Sequence, residues 1–263
     1  MGITERLITI HENVDSVHEA GYNKGESAGF DAGKQAEYDA FWDAMQNYGN
    51  RKDYGKAFLE WNCEYIRPKY KVMPTDRATS VNTFYGNRTL KKIEAEYFDF
   101  SQKTRGNSIT TGWYWTFSTC SALEEIEDIG MMPDTAYDST FYGCSSLTKI
   151  AKITTDKDVQ FGDAFKNCRA LQDITFEGEI GNNIDFQWSN QLKKDSITSI
   201  INHLSDTASG KTLTLSAAAI ATAFGAWSAD YDGDGKHDQW IGNDIEEWIE
   251  LIDSKPNWNI VAV

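Results

Sequence analysis

One pattern of apolar and polar positions recurs along the middle of the chain. The stretches "FSTCSALEEI", "FYGCSSLTKI" and "FKNCRALQDI" follow one another at intervals of 24 residues, and a looser copy, "FYGNRTLKKI", begins 33 residues before the first of them. The longer first interval indicates an insertion of about one strand or loop. The copies align in three apolar columns: Phe84, Phe117, Phe141 and Phe165; Leu90, Leu123, Leu147 and Leu171; and Ile93, Ile126, Ile150 and Ile174. This pattern predicts an array of stacked structural repeats.

The repeat length also predicts how the units are buried. A unit of this size holds one short strand and a turn or helical segment, and it cannot bury its apolar side without neighbours. Cys120, Cys144 and Cys168 occupy one column, with Asn87 in the same position of the first copy. We therefore expect buried thiols facing the turn backbone rather than disulfides. Cys63 lies outside that column, and we expect a half-buried small residue there.

These repeats resemble the BspA-like leucine-rich repeat family. Its pattern of an aromatic residue, a small polar triplet with cysteine, then leucine and isoleucine, fits three copies fully and the fourth except at Asn87. The resemblance covers roughly residues 73 to 190. It implies a right-handed leucine-rich repeat solenoid with strands along one face, a scaffold that serves binding and does not by itself fix a function.

The N-terminal region has a different period. Glycine recurs every fourth residue, and alanines form an adjacent row, which on a helix makes a narrow strip of small side chains. Each glycine costs about 1 kcal/mol in a helix interior, so this helix needs a closely packed partner. We expect identical chains to pair here in a parallel bundle, with a trimer as the working assumption; a flexible glycine-rich linker is the alternative. The glycines are Gly21, Gly25, Gly29 and Gly33.

An aromatic-rich segment, "AEYDAFWDAMQNYGNRKDYGKAF", separates the glycine helix from the repeats. The order of glycine ladder, aromatic segment, "RPKY" and cysteine-bearing repeats is similar to predicted tail or virion proteins of bacteriophages that infect Gram-positive gut bacteria. This second resemblance covers residues 20 to about 72. It implies an oligomeric virion appendage that attaches to other virion proteins through its helix and presents the repeats outward.

The C-terminal region predicts alternating helices and strands. "DSITSIINHLSD" has helical spacing with Asp195 or Ser196 as the N-cap, and this helix is expected to cover the open end of the repeats. "KTLTLS" predicts a strand, "SAAAIATAFGAW" a helix starting at Ser216, "DIEEWIELIDSK" a helix and "NWNIVAV" a final strand. The predicted fold is therefore α/β, in four segments: an oligomerisation helix (1–48), a connector (49–72), the repeat solenoid (73–205) and an α/β cap (206–263).

Charge and composition exclude some partners. The formal net charge is −15 and the pI is about 4.7, which argues against nucleic acid because phosphate binding needs clustered Lys and Arg. No apolar run is long enough to span a bilayer. No secretory signal is visible at the N-terminus, so we expect either assembly inside a cell, which for a virion protein is the host cytoplasm, or a signal that has been removed.

One acidic stretch has the spacing of a calcium loop. In "DYDGDGKHDQWI" the carboxylates alternate, glycine stands at the sixth position, and the twelfth position is Ile241 instead of glutamate. Asp244, Glu246 or Glu247 could complete the shell, and water is the alternative. The predicted Ca²⁺ ligands are Asp230, Asp232, Asp234, the Lys236 carbonyl and Asp238. The site is expected to be structural, and an acidic surface turn is the competing interpretation.

No catalytic motif accompanies these features. The four histidines are scattered, and there is no nucleophile elbow, P-loop or zinc-protease motif. We therefore expect no enzyme, but a phage tail or receptor-binding protein located in the virion that binds a bacterial surface protein or glycan through its strand face. A BspA-like adhesin on the bacterial surface is the alternative, and a polysaccharide-degrading tail appendage is a third interpretation. Trp113 and Trp115, in the inserted stretch, are the expected contact residues.

Overall fold

The computed structural model describes the repeats and most of the C-terminal region. The described residues are 58, 64–67, 71–73, 82–102, 112–229, 239–242 and 245–263. Within them the chain forms nine strands and three helices. In chain order these are β1 (Lys92–Ile93), β2 (Glu125–Ile126), β3 (Lys149–Thr155), β4 (Asp173–Gly178), β5 (Ile184–Phe186), α1 (Lys194–Asn202), β6 (Lys211–Leu215), α2 (Ala217–Phe224), β7 (Ala226–Ala229), β8 (Gln239–Gly242), α3 (Ile245–Asp253) and β9 (Trp258–Ala262).

The repeats stack through a four-stranded parallel sheet. Its order, β1-β2-β3-β4, is the order of the chain. Ile93 pairs with Ile126, Ile126 with Ile150, and Ile150 with Ile174, so the isoleucine column of the sequence is one row of the sheet. All four isoleucines are buried. Because side chains alternate across a strand, fixing these residues inward directs the preceding residue of each strand to the solvent face.

The phenylalanine column is a continuous stack of rings. Neighbouring rings lie nearly parallel, with centroids 4.4–5.7 Å apart. The stack extends one ring beyond the four matched copies at each end, to Phe58 and Phe186. Phe58 lies in the segment predicted as the connector, so the repeat core includes a residue from that segment. Offset-parallel rings contribute about 0.5–1.5 kcal/mol per pair beyond their area burial, which makes this column a major cohesive element.

The cysteine column is also confirmed as a structural one. Cys120, Cys144 and Cys168 are fully buried thiols that form no disulfide, and each donates its S–H to the carbonyl of the phenylalanine of the preceding copy. Burial raises the pKa of Cys144 and of Cys168. In the first copy the Asn87 side-chain oxygen accepts the backbone N–H of Leu90 at 3.0 Å. Cys63 lies outside the described residues.

Helix α1 covers the exposed edge of the four-stranded sheet, as the sequence predicted. The Ser196 hydroxyl accepts the N–H of Ile174 at 2.9 Å, and the Ser199 hydroxyl accepts that of Phe176 at 3.2 Å. The predicted N-cap was wrong: the cap residue is Lys193, in extended conformation and without a side-chain cap. Ser196 bonds to β4 instead of capping its own helix, and Lys193 is held by a backbone bond to Gln172.

The C-terminal region builds a second parallel sheet, in the order β5-β6-β9, and an antiparallel pair, β7-β8. The predicted strand at "KTLTLS", both later helices and the final strand are confirmed. Ser216 is the N-cap of α2, and Gly225, in left-handed conformation, ends it. The described chain is thus a mixed α/β fold with parallel sheets and no closed barrel. The glycine-ladder helix falls outside the described residues.

Candidate binding surface

The solvent face of the four-stranded sheet carries a row of charges of alternating sign. Lys92, Glu125, Lys149 and Asp173 occupy the same position in successive strands, and Lys193 follows Asp173 at the end of the row. Glu125 lies 3.1 Å from Lys92 and 2.9 Å from Lys149, and Asp173 lies 2.7 Å from Lys193. Each charge of the row therefore has an opposite neighbour, so the row carries little net charge to attract a charged partner.

The ion pairs of this row raise the pKa of the lysine and lower the pKa of the glutamates, because each charged group stabilises the charged form of its partner. The hydrogen bonds that the Lys92 ammonium donates to Glu127 and then to Glu125 raise the pKa of Lys92 to about 12. The ammonium of Lys149, followed by that of Lys92, lowers the pKa of Glu125. Lys92 and the backbone N–H of Ala95 lower the pKa of Glu127. All these groups are charged at neutral pH.

The turns that precede the strands of the repeats present aromatic rings instead. We call Tyr85, Tyr114, Trp115 and Tyr142 the aromatic ridge. Trp115 lies nearly parallel to Tyr85, with centroids 5.5 Å apart, and 5.4 Å from Tyr114. Trp115 as a whole residue is 37% exposed, and among the described residues only Met73 and Val263 are other exposed large hydrophobic residues.

The backbone beneath the ridge is left-handed at Trp115. Its φ is 57°, and the matching positions of the neighbouring copies, Asn82 and Ser139, have φ of 57° and 54°. Asparagine tolerates this conformation, whereas a bulky side chain there is an outlier that costs on the order of 1–3 kcal/mol. The turn geometry fixes the backbone at this position, and tryptophan is a costly residue to place on it. Stability alone therefore does not account for an exposed tryptophan here.

Charged side chains continue the ridge toward the next copy. The ammonium of Lys166 lies 5.8 Å from the centroid of the Tyr142 ring and 3.1 Å from Asp163. That ion pair raises the pKa of Lys166. Asp138 accepts the Ser139 hydroxyl at 3.0 Å and the Asp163 N–H at 3.2 Å. The end of the ridge thus combines aromatic rings with paired hydrogen-bond donors and acceptors.

The two tryptophans predicted as contact residues have different places in the structure. Trp115 lies on the surface, but Trp113 is fully buried, which corrects its assignment as an exposed contact residue. Its indole N–H donates to the Met132 carbonyl at 3.0 Å, and its ring stacks on Tyr137. An indole whose N–H and ring face are both engaged within the core supports the turn and has no surface to offer a ligand.

The other predicted site residues belong to the acidic stretch and to the glycine ladder. Asp230, Asp232, Asp234, Lys236 and Asp238 lie outside the described residues, as do the four ladder glycines. The described strands on either side of the acidic stretch, β7 and β8, pair antiparallel with Ala229 opposite Gln239. Elsewhere in the described part of the chain, no three His, Cys, Asp or Glu side chains form a group that could hold a metal ion. None of the described helices is long and apolar enough to cross a membrane.

Sequence reasoning did not single out Tyr114 and Lys166 as parts of this surface. A signal for Lys166 was present, because Tyr85, Tyr142 and Lys166 each directly follow the phenylalanine of a copy. Side chains at equal repeat positions lie beside one another in the stack. Tyr114 has no such signal, since its contact with Trp115 depends on the left-handed turn.

Comparison with known proteins gives no identification. No family model matches the chain, and neither a curated protein nor a solved structure matches it.

Proposed function

We propose that this chain is a non-enzymatic recognition protein, the receptor-binding component of a bacteriophage tail. In this proposal residues 73–205 form a leucine-rich repeat solenoid of the BspA-like type. The repeat period, the parallel sheet in chain order and the ring stack support that architecture. The order of sequence segments in residues 20–72 resembles that of phage tail proteins of Gram-positive gut hosts. This resemblance supports the virion location.

The observation that carries the binding role is Trp115. It is exposed, it stacks beside Tyr85 and Tyr114, and its backbone is in a conformation that bulky residues rarely adopt. Strained and exposed residues of this kind concentrate where a protein contacts something else. We therefore place the proposed contact on the aromatic ridge and not on the strand face, whose charges are already paired.

Cell binding tests the recognition role. The labelled full chain is applied to a panel of Gram-positive gut bacteria, together with Trp115→Asn and Met73→Ala. Asparagine occupies the same turn position at Asn82, so Trp115→Asn preserves the backbone. We expect Trp115→Asn to weaken binding by about tenfold or more and Met73→Ala, a change at another exposed hydrophobic side chain, to leave it intact. Full binding by Trp115→Asn would refute the role of the ridge.

Light scattering coupled to size exclusion tests the assembly role. The full chain is compared with a version lacking residues 1–37, which removes the glycine ladder. We expect a closed oligomer, with a trimer as the working assumption, that becomes a monomer on truncation. A monomer in both cases would contradict the assembly role and favour a bacterial surface adhesin of the same repeat family.

A further inference from the structure

We propose that the aromatic ridge binds a neutral polysaccharide of the bacterial surface. The inference rests on the proposed function, because it names the chemical class of the receptor for the same surface. It follows from the rings, the polar groups beside them and the charge of the chain.

The rings supply the apolar half of the site. An aromatic face carries partial negative charge and its edge partial positive charge. The C–H bonds on one side of a pyranose ring are polarised the opposite way and form a flat apolar surface, so a sugar ring packs against Tyr or Trp. Tyr85, Trp115 and Tyr142 belong to three successive copies and so lie along the stacking direction of the repeats. A row of rings in this arrangement suits consecutive sugars of an extended chain better than one compact ligand.

The polar groups beside the rings suit hydroxyls. A sugar hydroxyl both donates and accepts a hydrogen bond, so it needs a donor and an acceptor close together. Lys166 and Asp163 provide such a pair 3.1 Å apart, next to the Tyr142 ring. Asp138, hydrogen-bonded to the backbone of Asp163, adds a second carboxylate. These side chains are partly or fully exposed, so a ligand can reach them.

Charge and size disfavour the other receptor classes. A chain with a net charge of −15 repels an anionic polymer, and Lys166, the cation that lies over the Tyr142 ring, is already paired with Asp163. A stable protein partner needs about 800 Å² of surface on each side with a hydrophobic centre. On the described part of the ridge Trp115 is the one exposed large hydrophobic side chain, and the surrounding groups are polar.

The test uses cell walls from a strain that the full chain binds. The probe is cell walls treated with trypsin, which removes surface proteins. Half of the sample is then oxidised with periodate, which cleaves the vicinal diols of sugars. We expect the full chain to bind trypsin-treated walls and to lose binding after periodate. Binding should be nearly unchanged between low and high sodium chloride, because no ion pair with the ligand is involved. Trp115→Asn and Tyr142→Ser should each weaken binding about tenfold or more, and Met73→Ala should not.

The Tyr142→Ser change introduces the residue type of Ser118, which follows the phenylalanine in the neighbouring copy, so folding is expected to be preserved. Circular dichroism and protection of the three buried thiols check this directly. Binding that survives periodate and disappears with trypsin would overturn the polysaccharide inference while leaving the receptor-binding role intact. A steep loss of binding with salt would also overturn it. If the full chain bound none of the strains, the proposed receptor-binding function itself would be refuted.

Discussion

The thiol of Cys144 donates a hydrogen bond to the backbone carbonyl of Phe117, in the preceding copy, with 3.0 Å between sulfur and oxygen. Cys168 bonds to Phe141 in the same way at 3.1 Å. Each of these carbonyls also accepts a backbone N–H within its own copy, from Cys120 to Phe117 at 3.1 Å and from Cys144 to Phe141 at 3.0 Å, so the thiol of the next copy is a second donor to the same oxygen. A carbonyl oxygen has two lone pairs and can accept both. The cysteine column therefore links neighbouring copies directly beside the ring stack.

Cys144→Ala should reduce the free energy of unfolding by about 1–2 kcal/mol, because it removes the second hydrogen bond to the Phe117 carbonyl and opens a small cavity. Cys144→Ser keeps a donor and should lose less. Chemical denaturation of the two variants beside the wild type measures this difference. Equal losses for alanine and serine would show that the thiol hydrogen bond contributes nothing beyond packing.

The repeats could be predicted from sequence because their spacing is a one-dimensional signal. Equal intervals place Ile126 beside Ile150 and Phe117 beside Phe141 whatever the details of the turns. The ends of the ring stack were missed because Phe58 and Phe186 belong to copies of different length. Tertiary contacts, and not local spacing, place those two rings in the column.

The pairing of Glu125 with Lys149 and Lys92 predicts acid sensitivity. These neighbours hold the folded-state pKa of Glu125 below its usual value of 4.5. The stabilisation is therefore complete above pH 4.5 and is lost as the pH falls through the lower folded-state pKa. We expect Glu125→Gln to cost about 0.2–1 kcal/mol at neutral pH, since the pair is partly exposed. The variant should also lose less stability than the wild type on acidification.

Unfolding by urea at a series of pH values measures this difference, and a repeat at high salt, which screens the pair, should shrink it. Parallel pH profiles for Glu125→Gln and the wild type would contradict the prediction.

Gly178 ends β4 at a position where no other residue fits. Its φ is 89°, and a β-carbon there would lie 2.0 Å from the Thr155 carbonyl oxygen. Gly178→Ala should cost about 2–5 kcal/mol, from backbone strain together with displacement of β3. Gly210→Ala is the matched control: its φ is also positive, at 65°, but nothing lies within 4 Å of the added carbon. It should cost only about 1 kcal/mol. Similar losses at both glycines would rule out the steric explanation.

Thr119 is a β-branched residue in left-handed conformation, with φ of 61°, where the matching positions hold Gly86, Gly143 and Asn167. Asparagine adopts this conformation more readily than threonine. Thr119→Asn should therefore raise the free energy of unfolding by about 1 kcal/mol, and Asn167→Thr should lower it by a similar amount. Thermal unfolding of the reciprocal pair tests both signs. A stability loss in Thr119→Asn would mean that the threonine side chain makes a contact worth more than the strain.

The aromatic ridge was only partly predictable, and the reason lies in two tryptophans close together in the chain. Trp113 and Trp115 are two residues apart in the same polar stretch, and composition does not separate them. The left-handed backbone at Trp115 turns one ring outward beside Tyr85, while Trp113 packs against Tyr137. That distinction depends on the left-handed φ at Trp115, and tryptophan, unlike the Asn82 of the neighbouring copy, gives no sign of that conformation in the sequence.

Calcium binding at the acidic stretch remains a prediction, and the flanking structure sharpens its test. Ile241, at the twelfth loop position, pairs with Trp227 within the β7-β8 hairpin, and Glu247 is paired with Lys194. Completion of the calcium shell is thus left to Asp244, Glu246 or water, and we expect weak affinity, with a dissociation constant on the order of 10⁻⁴–10⁻³ M.

Calcium at about ten times its dissociation constant should stabilise the full chain by about 1.4 kcal/mol relative to EDTA. Asp232→Asn with Asp234→Asn should remove this gain, whereas magnesium, which demands a smaller octahedral shell, should give less of it. Identical thermal unfolding curves in calcium and EDTA would leave the stretch as an acidic surface turn.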